Sequence, residues 1–169
     1  DHDTMAEVKA AKSAAVEWGI EVIPGIELST QVQGKDIHIL GYFMEIENPL
    51  LVQKLEEFRL TRFARIAGMI ENLKKQGIDN LSFEDIKAGS KSDALGRPHL
   101  AAALVEKGWA ANPWQAFDKF IGDQCPAYVP KHQQSPKEAI ALIRQAGGVA
   151  VLAHPMVTNR DELISSFVD

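Results

Sequence analysis

Cysteine is nearly absent: Cys125 is the only one in 169 residues. That excludes a disulfide-stapled secreted scaffold and a thiolate zinc site. Long apolar runs are missing too, with none approaching the ~20 residues needed to cross a bilayer. The opening stretch DHDTMAEVKA has no basic segment followed by an apolar core, so no signal peptide is expected there. Positive charge is not in excess, because 18 Lys plus Arg stand against 23 Asp plus Glu, a net charge of −5. This balance argues against electrostatic coating of duplex DNA but leaves room for a local basic pocket. Internal repeats and low-complexity segments are lacking. What is present is 46% hydrophobic and 24% charged residues, ordinary for a globular domain with a real core. A soluble, reduced, cytoplasmic protein with no membrane association is expected.

Local patterns predict an α/β chain. Residues 4–18 read as a helix capped by Asp3 or Thr4, with Trp18 on its apolar face and Gly19 as its stop. Residues 20–32 look extended, QGKD gives a turn, and 37–43 form a second strand, so the two make a hairpin. Asn48-Pro49 opens an amphipathic helix over 50–76. Ser82 with Asp85 is a capping-box signature. Further helices are expected over 98–107, from Asn112-Pro113 to Gly122, and over 135–146. VAVLAHP then reads as an apolar strand of the kind found in parallel sheets, and a last helix begins in NRDELISSFVD. Arg59, Arg62 and Arg65 read as a solvated helix face, and the three tryptophans as packing residues. The outline is 1–46, a helical insertion over 47–134, and 135–169. Its α/β portion falls far short of the ~250 residues of a complete (β/α) barrel, and the abrupt ends lead us to expect a piece of a longer protein.

Chemistry concentrates on histidines and one glutamate. His154 ends the VAVLA run, Glu27 lies in the first hairpin strand, and His2 precedes the first helix. Hairpin parity gives a test: an even-numbered loop places Glu27 and His38 on one face in diagonal contact, and an odd loop separates them. A converging His and Glu beside another strand-end His can hold cations, the imidazoles as neutral nitrogen donors and the carboxylate as a bridge. A hydrogen-bonded Glu–His pair within a sheet is the alternative. Asp1 is a candidate to orient His2 through its second ring nitrogen; Asp3 has its own explanation as a helix cap. In GRPH, Arg97 and His99 stand at a helix start, where free N–H groups and the dipole suit a phosphate. Lys131 and His132 of YVPKH could add cationic donors, or belong to a solvated loop.

Taken together, DHDT, PGIELS, HILGYF, GRPH, SPKEAI and GGVAVLAHP resemble, in order, the PHP (polymerase and histidinol phosphatase) superfamily. Within it they resemble the TrpH-like branch of 3′,5′-nucleoside bisphosphate phosphatases and 5′→3′ ribonucleases. The resemblance implies a distorted (β/α)7 barrel, here incomplete, with a helical insertion. It implies two or three divalent metal ions (manganese, with iron or zinc as alternatives) held by His2, Glu27, His38 and His154, and substrate phosphate bound by Arg97, His99 and Lys131. The family's initial H-x-H strand and final D-x-H motif are not in this sequence, so the chain alone is expected to bind metal weakly and turn over little. For the whole protein the expected activity is hydrolysis of nucleotide phosphate esters by metal-activated water. Substrates would be nucleoside 3′,5′-bisphosphates or the 5′ ends of short single-stranded RNA or oligonucleotides. A non-catalytic nucleotide- or metal-binding module and a metal-dependent amidohydrolase are the alternatives.

Overall fold

The computed structural model describes residues 2–90, 95–131, 134–158 and 161–167. It is a mixed helix and strand chain that divides into two compact units. One comprises Asp1–Glu57 with Gln133–Asp169, the other Phe58–His132. Among the described residues no helix is long and apolar enough to cross a membrane.

In the first unit, β1 (Gly25–Val32) and β2 (Lys35–Tyr42) form an antiparallel hairpin closed by Gln33 and Gly34. Both turn residues have positive φ, 50° and 78°, the backbone hand that matches strand twist in a two-residue turn. The even loop sets the register: Leu28 pairs with Ile39 and Thr30 with Ile37 on the buried face, while Ser29 pairs with His38 on the other. The expected strand from residue 20 starts only at Gly25. Pro24 has no N–H to give to a ladder, though its carbonyl accepts from Phe43 N–H.

β3 (Val149–Leu152) extends the sheet in the order β1-β2-β3 but runs antiparallel to β2, which corrects the parallel expectation. An all-apolar run suggests burial on both faces, yet Val149 and Val151 stay 56% and 43% exposed. Periodicity alone does not separate a doubly covered strand from a short apolar one at a sheet edge. Helix α6 (Pro136–Gln145) packs on the sheet, entered through a Ser135 and Glu138 capping box. Its Ile143 comes so close to Gly41 that a Cβ there would stand 2.9 Å from Ile143 Cγ1.

The first helix, α1 (Val8–Val16), is shorter than expected and has no side-chain cap. Asp3 is not its cap; it is buried and accepts the Ser29 N–H through Oδ1 at 2.7 Å. Thr4 Oγ1 accepts from Ala6 N–H ahead of the helix. Trp18 is 77% exposed, contrary to its expected packing role.

Helix α2 (Pro49–Lys74) begins in the first unit and runs into the second, opened by the Asn48 Oδ1 acceptor. The second unit adds α3 (Phe83–Ala88), with the expected Ser82 and Asp85 capping box, and α4 (Arg97–Glu106). Its core gathers Ile66, Met69 and Leu73 of α2 with Ile86, Leu100 and Leu104. The helix expected from Pro113 to Gly122 is only one α-turn, α5 (Pro113–Ala116), followed by a π-helical turn over Phe117–Ile121. The Gly122 N–H reaches the Phe117 carbonyl at 2.7 Å, a spacing of five residues. Trp114 is 87% exposed, and Trp109 Nε1 donates to Asn80 Oδ1. The chain continues after β3 as α7 (Pro155–Thr158) and a 3₁₀ stretch over Asp161–Phe167.

Candidate metal and phosphate-binding groups

Glu27 is the hub of the first unit's polar cluster. Its strand alternates, so Ile26 and Leu28 are buried while Glu27 faces the other side. Ser29, two residues on, pairs with His38, and the side chains of Glu27 and His38 meet diagonally, Oε1 to Nδ1 at 2.8 Å. The even-loop branch of the parity argument therefore holds.

Two further histidines arrive from other segments. His2 forms an isolated parallel bridge with Glu27 along the free edge of β1, and Asp3 N–H donates to the Glu27 carbonyl. This sets His2 Nε2 3.8 Å from Glu27 Oε2. His154 follows the end of β3 with φ 28°, a left-handed turn that breaks the strand alternation. Its Nε2 lies 3.2 Å from both Glu27 Oε1 and His38 Nδ1. The ring centroids of His38 lie 5.1 Å from those of His2 and of His154, edge to face.

Electrostatics follow from this arrangement. Partial burial alone would raise the Glu27 carboxyl, but the His154 hydrogen bond and the neighbouring His2 and His38 outweigh it, and its pKa falls below the ordinary glutamate value. The carboxylate is thus the favoured form. Ligand atoms of His2, Glu27 and His38 all lie within 4.8 Å of one another. Cations bound by imidazole and carboxylate sit about 2.0–2.2 Å from each donor, so this spacing and this donor set fit a divalent ion. Asp1 lies outside the described residues.

The second unit carries the other candidates. Pro98 occupies the first turn of α4, and His99 Nδ1 accepts the Gly96 N–H at 3.1 Å. With Nδ1 as acceptor, the neutral ring holds its proton on Nε2, a donor. Arg97 pairs with Asp123 and also donates to the Ile121 carbonyl at the end of the π-helical turn. Its guanidinium stands 5.5 Å from the ring centroids of both Phe117 and Tyr128. Lys131 is half-buried, and His132 lies outside the described residues.

Sequence reasoning missed Arg65. It is half-buried rather than solvated, and its Nε–H donates to the Val129 carbonyl at 2.7 Å. Burial first, then the like charge of Arg97, push its pKa down. Helical spacing had grouped it with Arg59 and Arg62, which are also half-buried, with Arg59 over the Phe63 ring. No local signal separates such arginines from a solvated row, because the loop bearing Val129 is remote in sequence.

No protein-family model matches the chain. It is 36% identical over 159 residues to a 5′-3′ exoribonuclease of Haemophilus influenzae, a match covering 94% of this chain and 57% of that protein. It is 30% identical over 155 residues to a 3′,5′-nucleoside bisphosphate phosphatase of Chromobacterium violaceum, covering 92% of this chain and 54% of the other. The chain thus spans little more than half the length of these relatives. Among solved structures, one from Bifidobacterium adolescentis, described as a metal-dependent phosphoesterase, superposes with a TM-score of 0.84 at 29% identity. A Chromobacterium violaceum structure described as an amidohydrolase, with bound sulfate and no metal, gives 0.85 at 30% identity. Each match covers 99% of this chain and 61% of the solved one. Backbone and sequence similarity agree in likening this chain to 5′-3′ exoribonucleases, a nucleoside bisphosphate phosphatase and a metal-dependent phosphoesterase, in line with the resemblance that its motif order bears to the PHP superfamily.

Proposed function

We propose that this chain is part of a metal-dependent phosphoesterase that hydrolyses nucleotide phosphate esters. Its substrates would be nucleoside 3′,5′-bisphosphates or the 5′ ends of short single-stranded RNA or oligonucleotides. The observation that carries the proposal is the meeting of Glu27 of β1, His38 of β2, His154 just after β3 and His2 of the edge bridge, within hydrogen-bonding or ion-pairing reach. These residues would hold two or three divalent ions, manganese foremost, and Glu27 would bridge them. Bound divalent cations lower the pKa of water and neutralise phosphoryl oxygens.

The residues themselves do the rest. The three imidazoles offer neutral nitrogen, and Glu27, kept ionised by its histidine neighbours, supplies negative charge that offsets the cations. Asp1 would orient His2. Arg97, His99 and Lys131 would bind a substrate phosphate, Arg97 as a planar fork and His99 through Nε2–H. We further propose that the sheet belongs to a distorted (β/α)7 barrel divided between 1–46 and 135–169, with 47–134 as its helical insertion. A cytoplasmic setting and a preference for single strands over duplex DNA complete the reading.

An amide-cleaving activity could use the same imidazoles and carboxylate, and one structural relative is described in those terms. The arginines beside the start of α4 favour a phosphate instead. The test is metal analysis of the full-length protein together with a panel of adenosine 3′,5′-bisphosphate, 5′-phosphorylated RNA and model amides. Manganese-dependent release of phosphate from the bisphosphate and of mononucleotides from the RNA, lost in Glu27→Gln, is expected. Amide cleavage without hydrolysis of either phosphate ester would overturn the proposal.

A further inference from the structure

Asp3 follows the half-exposed His2 and is itself buried, 8% exposed. Its backbone turns left-handed, with φ 55°, so the pairing of this segment with β1 stops at the isolated His2–Glu27 bridge. A ladder that ends there would leave the Ser29 N–H, two residues along the edge, without a strand carbonyl to meet it. The Asp3 side chain supplies what its backbone no longer does. Asp3 N–H donates to the Glu27 carbonyl at 3.0 Å, and Asp3 Oδ1 accepts the Ser29 N–H at 2.7 Å. The Gln134 carbonyl takes the next edge donor, the Gln31 N–H, at 2.8 Å. Asp and Asn join a short acceptor to tolerance of left-handed backbone, which is what this position demands.

We infer that Asp3 is a positioning residue for the metal centre: by gripping β1 from the Glu27 carbonyl to the Ser29 N–H, it fixes the backbone that carries His2 and aims the His2 imidazole at Glu27 and His38. The inference rests on the reading that His2 is a metal ligand, and it adds the group that holds this ligand in place. His2 has Nε2 3.8 Å from Glu27 Oε2 and its ring centroid 5.1 Å from that of His38. With half of its side chain in solvent, packing does little to fix that ring, so its aim depends on the backbone beneath it. Metal ligands need to be held within about 0.5 Å of the working geometry, which a freely fraying edge segment does not provide. The role asks for an acceptor rather than a charge. Asparagine therefore fits it, whereas glycine adopts the same φ without offering the acceptor.

The test uses the full-length protein and its variants Asp3→Asn and Asp3→Gly, freed of metal by chelator and then titrated with manganese. In the metal-free parent and in Asp3→Asn, the Ser29 amide is expected to resist deuterium exchange, and the His2 and His38 rings to show a nuclear Overhauser contact. In Asp3→Gly both should be lost with circular dichroism unchanged, and manganese affinity by calorimetry should fall at least about ten-fold, the lower range for removing a support of a metal ligand. Asp3→Asn should bind within about two-fold of the parent, because its amide oxygen accepts the same N–H. A parent-like ring contact and affinity in Asp3→Gly would overturn the inference, as would a fall in Asp3→Asn as deep as in Asp3→Gly. If Asp3→Gly does not fold, Asp3→Asn decides: loss of Ser29 protection or of the ring contact there overturns the inference, and retention of both supports it. A ring contact that depends on Asp3 in a protein that binds no manganese would sink the metal reading and leave the positioning role standing.

Discussion

Glu27 shows how much chemistry one residue can gather. It sits on a strand whose neighbours are buried, and it receives His38 across the hairpin, His2 along the free edge and His154 from beyond β3. Glu27→Gln keeps the shape and removes the charge, so manganese affinity measured by calorimetry should fall by at least about 100-fold with circular dichroism unchanged, the upper range for disturbing a metal site's support. Asp85 gives a residue-scale prediction about acid. The Lys107 ammonium hydrogen bond, then the Ser82 hydroxyl and N–H, hold its pKa down to about 2, against 3.8 ordinarily. The folded value is the lower one, so the unfolded chain takes up this proton first as pH falls. The contribution is complete above the unfolded value and disappears as pH drops through about 2. Lys107→Met should flatten that part of the stability curve, read as urea midpoints across the acid range; an unchanged slope would refute the assignment.

At the scale of elements, close approach and capping decide what the chain tolerates. A Cβ on Gly148 would stand 2.3 Å from Met44 Cγ and 2.8 Å from the Tyr42 carbonyl oxygen, and a backbone oxygen in a sheet cannot step aside. Gly148→Ala should therefore lower unfolding free energy by about 1–3 kcal/mol, the usual range for overpacking. In the capping box of α6, Ser135 Oγ accepts the Glu138 N–H while Glu138 accepts the Ser135 N–H. Ser135→Ala should lower unfolding free energy by about 1 kcal/mol, visible as a shift in urea midpoint at constant slope. The capping box at Ser82 and the helix start at Ser135 were legible in sequence, because a cap is a matter of residues three apart. The direction of β3 was not, since strand pairing is decided by a segment more than a hundred residues earlier.

For the molecule as a whole, the proposed metal site would couple binding to folding. A cation held by residues 2, 27, 38 and 154 would tie together segments far apart in sequence, and an unfolded chain offers no such group. Saturating manganese should then raise the stability of the full-length protein by about 2.7 kcal/mol at a hundred times Kd. Chelator should return it to the metal-free value, and Glu27→Gln should show little response to either. A melting temperature indifferent to manganese and chelator would count against the cluster as a cation site.

Sequence by itself determined the pieces whose causes are local: a hairpin and the helix starts at Asn48, Ser82, Asn112 and Ser135; it left open whether Glu27 and His38 share a face, which the two-residue turn of the folded hairpin decided. Motif order pointed further, to the superfamily. Tertiary structure alone decided that Asp3 serves the edge of β1 instead of capping a helix, that His154 leaves its strand's alternation through a left-handed turn, and that Arg65 is half-buried with Nη2 meeting no acceptor among the described residues. The physical reason is the same in each case. A cap, a turn or a strand face is set by neighbours a few residues away, whereas burial and charge pairing depend on which remote segments the folded chain brings alongside.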